Sequence, residues 1–127
     1  MTPTIVAAAV IAVLLSALVV LQAGVAAGAP WGRLVWGGGH RVLPARLRVG
    51  SAVSVILYAA FAGIVFSRAG VLPGGDTTVI HVLTWALLAY FVIGIVMNAV
   101  SRSRPERLTM TPVCVVLAAA TLVVARG

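Results

Sequence analysis

Four uncharged apolar runs dominate the chain, at 4–23, 49–66, 79–100 and 108–125, and none holds an Asp, Glu, Lys or Arg. Each is about 18–22 residues, the length at which an α-helix rising about 1.5 Å per residue crosses a hydrocarbon core of about 30 Å. Lipid offers no partners to backbone N–H and C=O groups, so such runs must be helical unless strands close into a barrel. Barrel strands alternate in polarity over about ten residues, and these runs do not alternate. Apolar residues make up 62% of the chain and charged residues 9%. A soluble domain, with about 25% charged residues, is thereby excluded. The expected fold is an all-α integral membrane four-helix bundle with antiparallel neighbours, a single four-span domain over 1–127.

The first run resembles a signal peptide in one respect, the Ala27-Gly28-Ala29 triplet. A signal peptide opens on a positive segment, and Met1 to Thr4 carries none; the run is also too long for the usual apolar region. It is read as a retained first span.

Local chemistry marks the other ends. Pro44 suits the first turn of span two. Arg68 and Gly70 suit its close, a cation at the negative helix end followed by a residue tolerant of left-handed geometry. Pro73-Gly74-Gly75 is a turn, and Asp76, Thr77 or Thr78 can cap span three. Ser103-Arg104-Pro105-Glu106 reads as a capping box opening span four. Pro112, unable to donate to Leu108, should loosen that helix.

The nine basic residues are all Arg, and with two acids they give a net charge of +7. They lie between apolar runs, which favours a topological role over nucleic-acid binding. Arg33, Arg41, Arg46 and Arg48 fall in the first loop and Arg102, Arg104 and Arg107 in the third. Arg68 and Arg126 fall on the other side. The positive-inside rule then makes loops 24–48 and 101–107 cytoplasmic, in a multi-pass protein of the cell membrane with both termini outside. The seven Arg are candidate contacts for anionic lipid headgroups, since spans two and four also present their positive ends there.

The first loop, from Gly28 to Pro44, admits two readings. Trp31, Leu34 and Val35 can form the apolar face of a short interfacial helix ended by Gly37, a Trp-anchored connector. Alternatively the Gly37-Gly38-Gly39 run helps to hold an anion through its backbone N–H groups. It lacks the GKS ending of a phosphate loop, so nucleotide binding is not expected.

Within the spans, Ser51, Ser54 and Tyr58 share one face of span two, and with His81 and Asn98 they form a candidate intramembrane polar face. Ala59, Gly63 and Ser67, and in span one Ala8, Ala12 and Ser16, are small-residue faces suited to helix packing. No metal set appears: Met110, Cys114 and His81 are not spaced for one, and His40 lies on the opposite side from His81. Cys114, the one cysteine, has no disulfide partner in the chain. No carboxylate pair, HExxH or nucleophile with its base is present, so no cofactor and no enzymatic activity is expected. The first span has no Glu to match that of small multidrug exporters.

The order of features resembles a family of small four-span bacterial integral membrane proteins whose function is unknown. The residues that carry the resemblance are Trp36-Gly37-Gly38 ahead of Leu43-Pro44, Arg68-Ala69-Gly70, Trp85 and Phe91, and Thr111-Pro112-Val113-Cys114. That resemblance implies the same fold and no particular activity. The first functional expectation is a non-enzymatic membrane subunit or scaffold acting through helix packing, as a homodimer or in a larger membrane complex. The alternative is a small carrier or binder of an apolar or anionic lipid-like molecule, alone or as a homodimer.

Overall fold

The computed structural model describes residues 2–127 and contains four long helices, with no strand among the described residues. They are α1 (Pro3–Ala26), α2 (Ala45–Arg68), α3 (Thr78–Ala99) and α4 (Arg104–Arg126). Their 24, 24, 22 and 23 residues make each long and apolar enough to cross a membrane. The order around the bundle is α2, α1, α4, α3. The α3–α4 and α1–α2 pairs pack most closely, α1 joins them through α4, and the α2–α3 seam that closes the ring is the loosest.

Several ends follow local chemistry. Thr77 caps α3, its hydroxyl accepting from the Ile80 N–H at 3.3 Å. Ser103 caps α4 in the same way through Glu106 N–H at 3.4 Å. α2 ends at Arg68; Gly70, at φ 88°, reverses the chain so that Val71 N–H reaches Phe66 C=O at 2.9 Å. A side chain at that φ would be strained, which is why glycine serves. Pro44 sits one position outside the expected place, as the N-cap of α2. α4 starts at Arg104, as the Ser103–Glu106 box expects, four residues ahead of the apolar run at 108, and it runs through Pro112 without a break.

The two halves of the bundle differ. In the half remote from the clustered Arg, Ala7, Ala8, Ile11 and Leu15 of α1 pack with Val65, Leu87, Leu117 and Val124 in a continuous core. At mid-height lies an aromatic layer. Phe61 meets Tyr90 and Phe91 edge-on, with centroids 5.1 and 6.0 Å away, and Tyr58 at 6.0 Å. Edge-to-face contact aligns the positive ring edge with a negative face and adds about 1 kcal/mol to simple packing.

The Arg-rich end is closed by the first loop, and here the expected interfacial helix is corrected. Instead there are two single-turn 3₁₀ helices, Gly32–Leu34 and Trp36–Gly38, with Val35 extended between them. Val35 and Leu43 are buried against Val25 of α1, so the loop folds beneath the bundle rather than lying flat beside it. Gly38 is at φ 70° and packs so close to Ser103 that a Cβ would collide with it. Gly24 and Gly50 likewise offer flat surfaces to the indoles of Trp31 and Trp36.

Candidate functional site

A cavity of about 420 Å³ occupies the Arg-rich half of the bundle. All four helices and the first loop line it: Gln22 from α1, Ser54 and Tyr58 from α2, Tyr90, Phe91 and Asn98 from α3, Glu106 and Cys114 from α4, and Trp36 from the loop. Its inner end is the aromatic layer. It opens sideways along α3, where Tyr90, Ile93 and Met97 are exposed beside the loose α2–α3 seam. Apolar side chains, among them Leu18, Val113 and Leu117, make most of the wall. The polar groups gather toward the Arg-rich end.

Two clasps fix the floor. Trp36, at φ 52°, donates its indole N–H to Ser51 Oγ at 2.9 Å. A bulky residue at positive φ costs about 1–2 kcal/mol, so the contacts around it must over-determine its position. Ser51 is wholly buried. The second clasp is Glu106, only 7% exposed. One carboxylate oxygen accepts from Ser101 Oγ at 2.5 Å, and the other from Gly37 N–H at 3.3 Å. The capping box is thus half realised: Ser103 caps the helix, but Glu106 reaches across to the loop. Ser101 Oγ, in turn, accepts from the Ser103 N–H at 3.1 Å.

The candidate polar face is divided. Ser54, Tyr58 and Asn98 line the cavity. Ser51 lies beneath it, engaged by Trp36. His81 is corrected out of the group: it stands in the first turn of α3, at the far end from Asn98, about 25 Å away by helical rise. Asn98 donates to Gly94 C=O at 2.8 Å and to Cys114 Sγ at 3.4 Å, joining α3 to α4. Helical periodicity had no means of marking Gln22, Cys114 or Glu106 as companions of Ser54 and Tyr58. For Gln22 a signal existed, since an amide in an apolar run needs a reason.

The seven clustered Arg share one end of the molecule, and none lines the cavity. Arg33 donates to Gly38 C=O at 3.0 Å, Arg48 to Ala26 C=O at 3.0 Å and Arg107 to Ser101 C=O at 3.1 Å. Arg48 thereby satisfies a carbonyl at the negative end of α1, as Arg68 does for Ala125 of α4 at 3.2 Å. Arg41, Arg46, Arg102 and Arg104 are exposed.

Fold and cavity together define a protein of four helices long and apolar enough to cross a membrane, with a chamber apolar in most of its wall and polar at one end. The chain belongs to the OpgC protein family, whose sequence profile matches residues 41–126. The match takes in α2, α3 and α4, and with them most of the chamber wall. No curated protein and no solved structure matches the chain. The family description names a protein and not a reaction, so function rests on the chamber.

Proposed function

We propose that this protein binds, and carries within the membrane, a small amphiphilic molecule, acting by binding rather than by catalysis. The observation that carries the reading is the chamber of about 420 Å³, opening between α2 and α3 where lipid would surround the bundle. Its volume falls in the range of small-molecule sites, and its mostly apolar wall with a few convergent polar groups is how such sites hold and orient a ligand. Its apolar end would take a chain and its polar end a head.

The scaffold reading has less support. Of the small-residue faces, Ala8 is used inside the core and Ser67 donates to Pro73 C=O at 2.7 Å; Ser16 and Ala59 are exposed, but nothing about them specifies a partner. The exposed Arg41, Arg46, Arg102 and Arg104 remain for anionic headgroups of the surrounding bilayer, outside the chamber.

Native mass spectrometry from nanodiscs tests the proposal. The protein should retain an amphiphile mass, and Ser54→Trp, which places an indole in the chamber, should cut retention at least tenfold, about 1.4 kcal/mol. Wild-type protein released bare, or retention unchanged in the variant, would overturn it.

The Arg imbalance supports an orientation with the Arg-rich end in the cytoplasm. With Cys114→Ser as background, a cysteine at Gly39 should resist an impermeant maleimide in intact cells, while one at Asp76 is labelled. The reverse pattern would invert the topology.

A further inference from the structure

Resting on the chamber as a binding site, we infer that the head of its ligand is an ammonium cation. Donors reach the chamber from the Tyr58 and Tyr90 hydroxyls and the Gln22 amide, but its charged group is an acceptor, and three of its oxygens are acceptors without a donor among the described residues. Gln22 is 8% exposed, and its Oε1 is buried without a hydrogen-bond partner. An unsatisfied buried acceptor costs about 1–3 kcal/mol, so a donor from a ligand is the missing complement. Asn98 spends its N–H groups on Gly94 and Cys114, which leaves its carbonyl oxygen. Ser54 donates to Gly50 C=O at 3.0 Å, so its oxygen is left as an acceptor.

Glu106 supplies the charge. A carboxylate has about four lone-pair positions, and the two donors it has, Ser101 and Gly37, are both neutral. Buried charges are ordinarily paired with opposite charge. Arg33 and Arg107, whose segments border the same floor, donate instead to Gly38 C=O and Ser101 C=O. With no Arg on the wall, a phosphate or carboxylate head would meet the Glu106 carboxylate and no cation to offset it. Trp36, Tyr58 and Tyr90 add aromatic rings to the wall, and a ring whose face meets an ammonium group attracts it by about 0.5–2 kcal/mol. The Arg at the water-facing end repel a small free amine, so the cation must arrive with an apolar chain through the α2–α3 opening.

Three probes with the same tail separate the alternatives: dodecylammonium, dodecanol and dodecanoate, titrated at pH 7 into phosphatidylcholine nanodiscs with bound mass read by native mass spectrometry. The wild-type protein should bind dodecylammonium at least about tenfold tighter than dodecanol, and dodecanoate least. Glu106→Gln should bring the amine to within about twofold of the alcohol, since a neutral amide loses the charge-assisted bond. Gln22→Leu should weaken the amine about fivefold, the value of one hydrogen bond. Dodecanol equal to the amine, or dodecanoate the tightest, would overturn the inference while leaving the chamber a binding site. No binding of any probe would overturn both. Should Glu106→Gln fail to fold, the order of the probes on wild-type protein and the Gln22 variant still decide.

Discussion

Phe91→Ala is expected to destabilise the bundle by about 3 kcal/mol, the low end of the cost of emptying a buried phenyl site. Phe91 is 2% exposed and meets both Phe61 and Tyr90 edge-on. In lipid, ring transfer from water contributes little, because the separated helices are already in an apolar solvent. Lost packing and lost ring–ring contacts carry the cost. Phe91→Leu, which refills most of the space, should recover over half of it. The midpoint of unfolding in mixed micelles of rising dodecyl sulfate content measures both. An alanine variant within about 0.5 kcal/mol of wild type would mean that the aromatic layer is not what holds α2 against α3.

Glu106→Ala is expected to release the floor. Removing the carboxylate leaves Ser101 Oγ–H and Gly37 N–H without their acceptor. Hydrogen bonds to charged groups are worth about 1.5–3 kcal/mol, so local opening of the loop should rise about 10- to 100-fold. Amide hydrogen exchange over residues 35–38 reads this directly. Exchange in the α3–α4 core should hardly change. Glu106→Gln, which keeps one acceptor oxygen, should fall between. Unaltered exchange at 35–38 in the alanine variant would show that Val35 and Leu43, packed on Val25, hold the loop by themselves.

The four helices were legible because their cause is local: an uninterrupted apolar run has few alternatives in lipid. The caps at Thr77 and Ser103 and the turn at Gly70 were legible for the same reason, each depending on residues within a turn or two. What escaped depends on distant partners. Glu106 satisfied a local pattern, and that pattern concealed its bond to Gly37, 69 residues away. The Trp31–Val35 stretch has helical spacing, yet the burial of Val35 against Val25 and the Trp36–Ser51 bond determine its path. The Arg cluster was assigned to one end, but nothing in the spacing shows that Arg33, Arg48 and Arg107 spend their N–H groups on carbonyls. Of the chamber, Ser54, Tyr58 and Asn98 were legible as polar residues in apolar helices. Their assembly with Gln22 and Glu106 requires the bundle to be closed.

The difference between the two halves of the bundle has a consequence for direction. A chamber bounded inward by rings at mid-height, with solid packing beyond, communicates with a single leaflet. On the proposed reading, a molecule that slips between α2 and α3 returns to the monolayer it left, and this conformation would store the ligand within one leaflet. Translocation would need Phe61 and Tyr90 to part and the core around Ile11, Val65 and Leu117 to open. Those residues therefore separate storage from flipping, and a dithionite-quenching assay on labelled lipid distinguishes the two.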